Sequence, residues 1–241
     1  MNSAAYIKRD ILRWIRAPLN VFSTLAMPAA WLIFMGLVMP VKYDGNYLDF
    51  VTPGILVLTM LTAGLGAGSS MMFDKTLGYL NKFLALPSPR ESILVGKIIF
   101  ITLRGLFQAT VILLISILIG ATIMSPLMYI QMYLVLAVFG ITISALGTTV
   151  ALYLDNHDTY TAFLAIVSMP LYLASTALVP LENMPDALRH IAVCNPLTYA
   201  IDSIRDISNG IFPTVSISIL ALIAVVMVIL CTIKFRKVTI R

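Results

Sequence analysis

Long uncharged hydrophobic runs alternate with short polar segments along the chain and predict six membrane-spanning helices. A helix needs about 20 apolar residues to cross a hydrocarbon core roughly 30 Å thick, and each run is close to that length or longer. The runs are continuous, without the alternation of apolar and polar residues that a membrane barrel shows, so we expect an all-α integral membrane protein. The predicted spans cover residues 21–39, 50–73, 105–124, 126–154, 159–181 and 211–233.

The composition excludes a soluble domain. Of the 241 residues, 60% are hydrophobic and 11% are charged, whereas a soluble domain carries roughly 25% charged residues. So few charges cannot cover the core of a soluble domain of this size, and so many apolar residues exclude a disordered chain. Two cysteines, Cys194 and Cys231, are too few for a disulfide framework. Cys231 lies in an apolar run, where a small buried side chain is expected.

The distribution of basic residues predicts the orientation. Of the 16 Lys and Arg residues, all except Lys42, Arg189 and Arg205 lie in the N-terminal segment, between the second and third spans or at the start of the third, or at the C-terminus. Cytoplasmic segments carry an excess of basic residues. We therefore expect a multi-pass protein of the cell (inner or plasma) membrane with both termini in the cytoplasm. The net charge of +5 is then explained without a nucleic-acid partner.

The segment before the first span predicts an amphipathic interfacial helix over residues 4–16, ended by Pro18. Its apolar side would lie in the lipid headgroups and its cations would face anionic lipid. A plain cluster of charges that orients the chain is the alternative. The predicted apolar face consists of Ala4, Ile7, Ile11, Trp14 and Ile15, and the opposite face of Arg9, Arg13 and Arg16.

The segment between the second and third spans, residues 74–97, is predicted to be a cytoplasmic loop with one short helix that ends at Pro87. Such a short helix is marginal in water by itself, so its large apolar side chains need a covering surface. They would either dip into the bilayer or dock into another protein. The predicted exposed apolar side chains are Tyr79, Leu80, Phe83, Leu84 and Leu86.

The segment before the last span, residues 182–210, predicts two short helices outside the cytoplasm. The first covers residues 185–191. The second begins at Pro196, which favours the first turn of a helix, and Asn195 is expected to cap it. The segment is too short for a domain of its own, so we expect a re-entrant hairpin or an external lid.

These features in this order resemble the membrane subunit of type-2 ABC exporters, the ABC-2 permeases of drug-resistance, nodulation and polysaccharide export. The resemblance covers essentially the whole chain, residues 1–241, as one transmembrane domain. Its features are the basic amphipathic helix, the loop pattern Gly78…Leu86-Pro87…Arg90…Gly96-Lys97, and the stretch Asn195-Pro196-Leu197-Thr198-Tyr199 followed by Ile204-Arg205. The last stretch is the most specific.

The resemblance implies a role for each segment outside the spans. Residues 4–16 would be a connecting helix, the loop after the second span would hold a coupling helix that contacts an ABC ATPase subunit, and the hairpin would be an extracytoplasmic lid. The implied ATPase-contact residues are Gly78, Tyr79, Lys82, Phe83, Leu84, Leu86 and Pro87. The implied lid residues are Asn195, Pro196, Leu197, Thr198, Tyr199 and Arg205.

No nucleotide site is predicted in this chain. Gly96-Lys97 is the only Gly-Lys pair, but position 91 is Glu where a phosphate-binding loop needs Gly, and Ile98 stands where it needs Ser or Thr. The chain is therefore expected to carry no cofactor and to be a transport subunit rather than an enzyme. ATP and Mg²⁺ would bind to the partner ATPase, and the permease would act as a homodimer or beside a paralogous permease.

Few other polar residues are candidates for function. Gly64 and Gly68 indicate close helix packing. Arg104 is expected near the cytoplasmic end of the third span, where it either lines a polar pathway or extends to the interface. The turn that contains Asp155, His157 and Asp158 has the composition of a metal site, but solvated loop residues are the simpler interpretation. In the fifth span, polar side chains near Pro170 suggest a pathway wall formed by Tyr172, Ser175 and Thr176.

The function expected from the sequence is that of a permease subunit of an ATP-driven exporter. Uncharged spans favour a hydrophobic or amphipathic cargo, drug-like or lipid-like, over a small ion. Export of a lipid-linked glycan by the same machinery is the alternative within the family. An intramembrane enzyme or a stand-alone channel is the alternative from another class, although no ring of polar pore residues is evident.

Overall fold

A computed structural model describes residues 3–38, 46–84 and 91–237, and within these ranges the chain is helical without any strand. The all-α structure that the hydrophobic runs predict is therefore confirmed for the described residues. The α-helices are α1 (Ser3–Ile15), α2 (Pro18–Val38), α3 (Tyr47–Thr76), α4 (Tyr79–Leu84), α5 (Glu91–Ile119), α6 (Pro126–Tyr153), α7 (His157–Leu173), α8 (Asp186–Cys194), α9 (Pro196–Ser208) and α10 (Thr214–Arg236).

Five of the described helices, α2, α3, α5, α6 and α10, are long and apolar enough to cross a membrane. Helix α7 has 17 residues and is shorter than these. Its first residue, His157, contacts Ser69 near the end of α3, whereas Leu171 near its own end contacts Asn195 of the hairpin, so α7 runs between the same two ends of the bundle. That α7, the fifth predicted span, crosses the membrane and brings the total to six stays a prediction.

The bundle has two distinct ends, which we name from the segments that they carry. The termini end carries α1, α4 and the last turn of α10, where Arg236 pairs with Glu91 at 2.8 Å. The hairpin end carries α8, α9 and the first turns of α3 and α6. Buried Cys231 packs with Phe235 and Tyr6 near the termini end, which confirms its predicted role as a small buried side chain.

Helices α3 and α6 form the centre of the bundle and approach each other closely at glycines. A Cβ atom at Gly64 would lie 2.8 Å from Cγ2 of Ile143, and one at Gly68 would overlap the carbonyl oxygen of Gly147 and the hydroxyl of Tyr160. The Tyr160 hydroxyl donates a hydrogen bond of 2.6 Å to the carbonyl of Leu65. The predicted packing role of Gly64 and Gly68 is therefore confirmed.

The predicted loop over residues 74–97 is wrong at both of its ends. Helix α3 continues to Thr76, and α5 begins at Glu91 rather than at residue 105. Helices of about 30 residues are roughly 45 Å long, which exceeds the hydrocarbon core, so they carry charged residues on their ends without leaving the helix. The charges of Lys97 and Arg104 indicated a loop boundary, but both side chains lie within α5.

The fifth predicted span also ends earlier, at Leu173 instead of residue 181. The chain turns there because side chains, instead of the backbone amides of a further helical turn, donate hydrogen bonds to the last carbonyls of the helix. The Ser175 hydroxyl donates to the Tyr172 carbonyl at 2.6 Å, and the Asn195 amide donates to the Leu171 carbonyl at 2.6 Å. Because these side chains supply hydrogen-bond donors to the carbonyls of Leu171 and Tyr172, the helix can end at Leu173.

Helix α1 has the predicted amphipathic pattern, and part of its apolar face packs against protein. Ile7, Ile11 and Trp14 pack on a cluster formed by α3 and α5. The Trp14 ring meets the Phe107 ring edge to face, with centroids 5.4 Å apart. Phe100 and Ile101, in the part of α5 that precedes the predicted span, provide most of this surface. Ile15, by contrast, is exposed.

Candidate functional site

Helix α4 is the short helix predicted at the termini end. Gly78, with φ of 72°, makes the left-handed turn that separates α3 from α4. Lys82 is exposed and lies 5.6 Å from the centre of the Tyr79 ring. Leu80, which we expected to be exposed, is buried in the cluster that contains Tyr6 and Met71, so it ties α4 to the bundle.

The rest of the predicted ATPase-contact set is only partly described. The backbone of Phe83 and Leu84 forms the last turn of α4, and Leu86 and Pro87 lie outside the described residues. The predicted helix is therefore confirmed over Tyr79–Leu84. Contact of this set with an ATPase stays a prediction.

A buried cluster of charged side chains joins α1, α3 and α5 at the termini end. Lys97 of α5 forms an ion pair and hydrogen bond with Asp74 of α3, and both are almost completely buried. Arg9 lies 2.6 Å from Asp10 and 3.8 Å from Asp74. We refer to these four residues as the charge cluster. Burial of charges is tolerated where they are paired and hydrogen-bonded, so the cluster holds three helices in one arrangement.

Sequence reasoning missed the charge cluster, because it assigned Lys97 and Asp74 to opposite ends of an exposed loop. The only available signal was their position at the edges of two apolar runs. Nothing local predicts that side chains 23 positions apart meet.

At the hairpin end, Asn195 joins two helices rather than one. Its side-chain oxygen accepts a hydrogen bond of 3.0 Å from the Leu197 amide, which confirms the predicted cap of α9. Its side-chain nitrogen donates to the carbonyl of Leu171 at the end of α7, at 2.6 Å. The residue is 3% exposed. A single side chain therefore connects the start of α9 with the end of α7.

Arg205 of α9 binds backbone carbonyls from two other parts of the chain. Its guanidinium donates to the carbonyls of Thr176 at 2.7 Å, Phe50 at 3.1 Å and Ala177 at 3.3 Å. It also lies 3.9 Å above the Phe50 ring, in cation–π geometry. We call Asn195, Arg205 and the carbonyls that they bind the hairpin node. The node fixes α9 against the first turn of α3 and the turn after α7.

Asp202 completes the hairpin node. It lies 3.7 Å from the Arg205 guanidinium and accepts a hydrogen bond of 2.7 Å from the Thr176 hydroxyl. Burial raises the pKa of Asp202, and the Thr176 hydroxyl and the Arg205 guanidinium oppose this change by stabilising the carboxylate.

The other predicted lid residues are packed into the protein. Pro196 is in the first turn of α9. Leu197 and Thr198 are buried, and the Tyr199 hydroxyl donates to the Val193 carbonyl of α8 at 2.8 Å. Helix α9 packs against the bundle, whereas α8 is mostly exposed and buries only Ala192.

The residues predicted to line a pathway separate into two groups. Tyr172 lines a cavity of about 300 Å³ between α2, α3, α5 and α7, which we call the central cavity. Ser175 and Thr176 are buried in the turn after α7, where their hydroxyls are engaged with Tyr172 and Asp202. The sequence placed all three on one helix wall, but the early end of α7 separates them.

The central cavity has apolar walls and a polar floor. The walls include Met27, Trp31, Leu58 and Met169, and Arg104 and Gln108 lie at the floor. The Gln108 amide donates to the Thr24 hydroxyl at 2.6 Å. A second cavity of about 360 Å³ opens toward the termini end, and Ser23, Thr24 and Arg104 line both cavities. We call it the termini-end cavity.

In the turn before α7, Asp155 and Asp158 are exposed, as predicted for loop residues, whereas His157 contacts α3. Asn156 caps α7 by accepting a hydrogen bond from Thr159 at 2.7 Å. His157 lies 3.0 Å from the Ser69 hydroxyl and stacks near the Phe73 ring. The Asp155 carboxylate is exposed and pairs with Lys75 at 3.4 Å. In the described part of the chain, no group of acidic, His or Cys residues is arranged to hold a metal ion.

Comparison with known proteins identifies relatives along most of the chain. The sequence profile of the family described as ABC-2 type transporter matches residues 3–208. The "Putative transport permease ycf38" of Cyanophora paradoxa is 34% identical over 208 residues, which cover 83% of this chain and 71% of that protein.

Two relatives with more specific names are more distant. The "Probable doxorubicin resistance ABC transporter permease protein DrrC" of Mycobacterium tuberculosis is 26% identical over 84% of this chain and 75% of its own length. "Nodulation protein J" of Rhizobium leguminosarum bv. viciae is 26% identical over 87% of this chain and 83% of its own length.

Proposed function

This chain belongs to the ABC-2 type transporter family, and on that premise we propose that it is the permease subunit of an ATP-driven exporter of hydrophobic or amphipathic cargo. Permeases of this family work with an ABC ATPase subunit. The observation that carries the proposal is the family match from α1 through α9, which includes α1, α4, the central cavity and the hairpin node. The apolar walls of the central cavity and the drug-resistance relatives support such a cargo.

The proposal includes six crossings and an orientation. Helix α7 is the additional crossing, because it joins the same two ends as the five longer helices. The termini end faces the cytoplasm, in keeping with the excess of basic residues there. The hairpin end faces outward.

The orientation is tested with a native cysteine. Cys194 is exposed at the hairpin end, whereas Cys231 is buried. An impermeant maleimide added to intact cells should label Cys194, and Cys194→Ser should abolish the label. In that background Asn183→Cys should restore labelling and Lys82→Cys should not. Labelling of Lys82→Cys from outside would show that the protein has the opposite orientation to the one proposed.

In the proposed mechanism, α4 acts as the coupling helix at the termini end. ATP binding closes two ATPase subunits, the movement reaches α4, and Leu80 carries it into the bundle. The charge cluster makes α1, α3 and α5 move together, because their displacement relative to each other would separate buried charges. Two permeases then open a path toward the hairpin end.

The direct experiment is purification of the chain in mild detergent from its native membrane, with identification of the bound proteins. We expect an ABC ATPase in roughly stoichiometric amount and ATP-dependent cargo export after reconstitution. A chain that conducts solutes without any ATPase would instead be a channel and would overturn the proposal.

The contact itself is tested with the double variant Phe83→Ala/Leu84→Ala. Burial of each such side chain is worth about 1.5–3 kcal/mol, so loss of both should weaken ATPase binding by about 100-fold or more. Lys82→Ala, which removes an exposed charge, is the matched control and should have a smaller, salt-sensitive effect. Normal ATPase recovery with a folded double variant would show that these side chains face lipid.

A further inference from the structure

Arg104 is a partly buried cation without a protein counterion among the residues that the structure describes. It lies in α5 about 20 Å along the helix axis from Glu91, at a rise of 1.5 Å per residue. Its Nε atom is buried without a hydrogen-bond partner, and no carboxylate within the described ranges pairs with it. The nearby Gln108 amide is bonded to Thr24. Lys97, two turns earlier in α5, has Asp74.

A charge of this kind is costly in a membrane protein unless it serves a ligand. Ionisable residues within spans pair with one another or face a cavity, and they mark the pathways of substrates. Arg104 lines both the central cavity and the termini-end cavity, so its guanidinium stands where the two spaces meet. Its unpaired donors point to an anion as the missing partner.

The other charged groups around this position also favour an anion. Arg13 lines the termini-end cavity from α1 and is exposed. Asp10 is the acidic residue in that lining, and its carboxylate is already engaged by Arg9 at 2.6 Å. The Ser70 hydroxyl adds a neutral donor, whereas the Ser23 hydroxyl already donates to the Asn20 carbonyl at 3.2 Å. The termini-end cavity therefore presents an excess of positive charge to a ligand.

The central cavity determines what the anion must be attached to. Its walls are apolar, and its volume of about 300 Å³ is at the lower end of the range for small-molecule sites. Such a space favours a ligand with an alkyl or aromatic group over a bare inorganic anion. One end of the ligand is charged and the other is apolar.

We propose that Arg104 binds the phosphate- or sulfate-type head group of an amphipathic cargo whose apolar part occupies the central cavity. This inference rests on the proposed export function and names its cargo class. The planar guanidinium binds two oxygens of such a head group at once, which an ammonium group does not.

The site is tested by fluorescence quenching in phosphatidylcholine nanodiscs. The chain has two tryptophans, Trp14 and Trp31, and Trp31 lines the central cavity. In the variant Trp14→Phe, a bromododecyl phosphate should quench Trp31 in a saturable manner. Bromododecyl phosphocholine, which is zwitterionic, should bind at least tenfold more weakly.

Substitutions then separate binding at Arg104 from partition into the bilayer. Loss of a charge-assisted bidentate contact should weaken binding about 10- to 100-fold in Arg104→Gln, with an intermediate effect in Arg104→Lys. Arg189→Gln, which removes an exposed charge of α8 that lines neither cavity, is the control and should change binding less than threefold. Quenching that does not saturate, or that is equal in Arg104→Gln, would overturn the proposal.

Two further measurements complete the test. Without ligand, Arg104→Gln should unfold at the same temperature as the parent or higher, because an unpaired, partly buried charge is removed; marked destabilisation would assign Arg104 a structural role. Inorganic phosphate should displace the quencher only at far higher concentration than unlabelled dodecyl phosphate; equal displacement would assign a free-anion site.

Two combined outcomes distinguish a failure of the cargo assignment from a failure of the proposed export function, on which that assignment rests. If an ABC ATPase assembles with the permease but the alkyl phosphate is neither bound through Arg104 nor exported with ATP, the cargo assignment is wrong and the export function stands. If the alkyl phosphate binds through Arg104 but no ATPase assembles, the exporter function is wrong.

Discussion

The two ends of the bundle both contain buried charged residues, but they use them differently. At the termini end, the charge cluster pairs side chain with side chain, as in Lys97 with Asp74. At the hairpin end, Arg205 and Asn195 bind backbone carbonyls of Thr176, Phe50 and Leu171. Side-chain pairs hold neighbouring helices together, whereas bonds to carbonyls determine where a helix ends and where the next segment lies.

This difference predicts how each end responds to substitution. An ion pair can be removed as a unit, because both partners are side chains. A bond to a carbonyl has only one removable partner, so the carbonyl stays behind. Substitutions at three positions test this contrast, from the largest expected effect to the smallest.

The largest effect is expected for Lys97→Met. The substitution leaves the Asp74 carboxylate buried with only Arg9, at 3.8 Å, as a partner. Such unpaired buried charges cost about 3–5 kcal/mol, so the midpoint of thermal unfolding in detergent should fall strongly. The double variant Lys97→Met/Asp74→Leu removes both charges and should recover most of the loss. Equal destabilisation of the single and double variants would contradict a pairing role.

A smaller effect is expected for Arg205→Met. It removes hydrogen bonds to three carbonyls, and we expect a loss of about 2–3 kcal/mol because hydrogen bonds to charged groups are worth roughly 1.5–3 kcal/mol each and are not additive. The companion substitution Asp202→Asn should not rescue it, since the carbonyls remain unsatisfied. Arg189→Met, on the exposed face of α8, is the control in the same thermal unfolding measurement. Rescue by Asp202→Asn would make the two ends alike.

The smallest change in stability is expected at Asn195. Asn195→Ala loses the cap of α9, worth about 1 kcal/mol, and the bond to Leu171. Asn195→Asp keeps an oxygen for the cap but loses the amide donor. Both variants should lose stability, Asn195→Asp because its buried carboxylate would face the Leu171 carbonyl. If the link between α9 and α7 serves release of cargo, both variants should slow export with normal ATPase binding. Normal export by Asn195→Asp would reduce Asn195 to a helix cap.

The same contrast explains what could be predicted from the sequence. Hydrophobic runs and local caps predicted the all-helical membrane fold, α4 and the cap by Asn195, because each depends on neighbouring residues. The early end of α7 and the early start of α5 depend on distant partners. Asn195 is 24 positions from Leu171, and Arg205 is 29 from Thr176. A charged residue with no partner nearby in the sequence is predicted to be exposed to solvent. For Lys97 this prediction was wrong, because Asp74 pairs with it in the protein interior.

At the candidate cargo site, the sequence identified the residue but not its surroundings. Arg104 was recognised as a polar-pathway candidate from its position alone, but the sequence could not distinguish an extended surface side chain from an unpaired, partly buried one. The structure makes the distinction, because it shows that Arg104 lines both cavities and that the neighbouring Gln108 amide is already bonded to Thr24. Pathway residues on α7 were predicted only in part, since Tyr172 lines the central cavity and Ser175 lies in the turn beyond it.

The close approach at Gly68 has a consequence for conformational change. A methyl group there would overlap Gly147 and Tyr160, so α3, α6 and the first half of α7 have no clearance to slide or rotate against each other. We expect α3, α6 and this part of α7 to move as one rigid unit within a subunit. A displacement relative to this unit is then expected at a helix outside it, and α2 fits best: Leu19 and Phe22 of its first turns are largely exposed, and Pro28 lies near its middle. Proline removes a backbone hydrogen bond at that point, which gives α2 a natural hinge beside the central cavity.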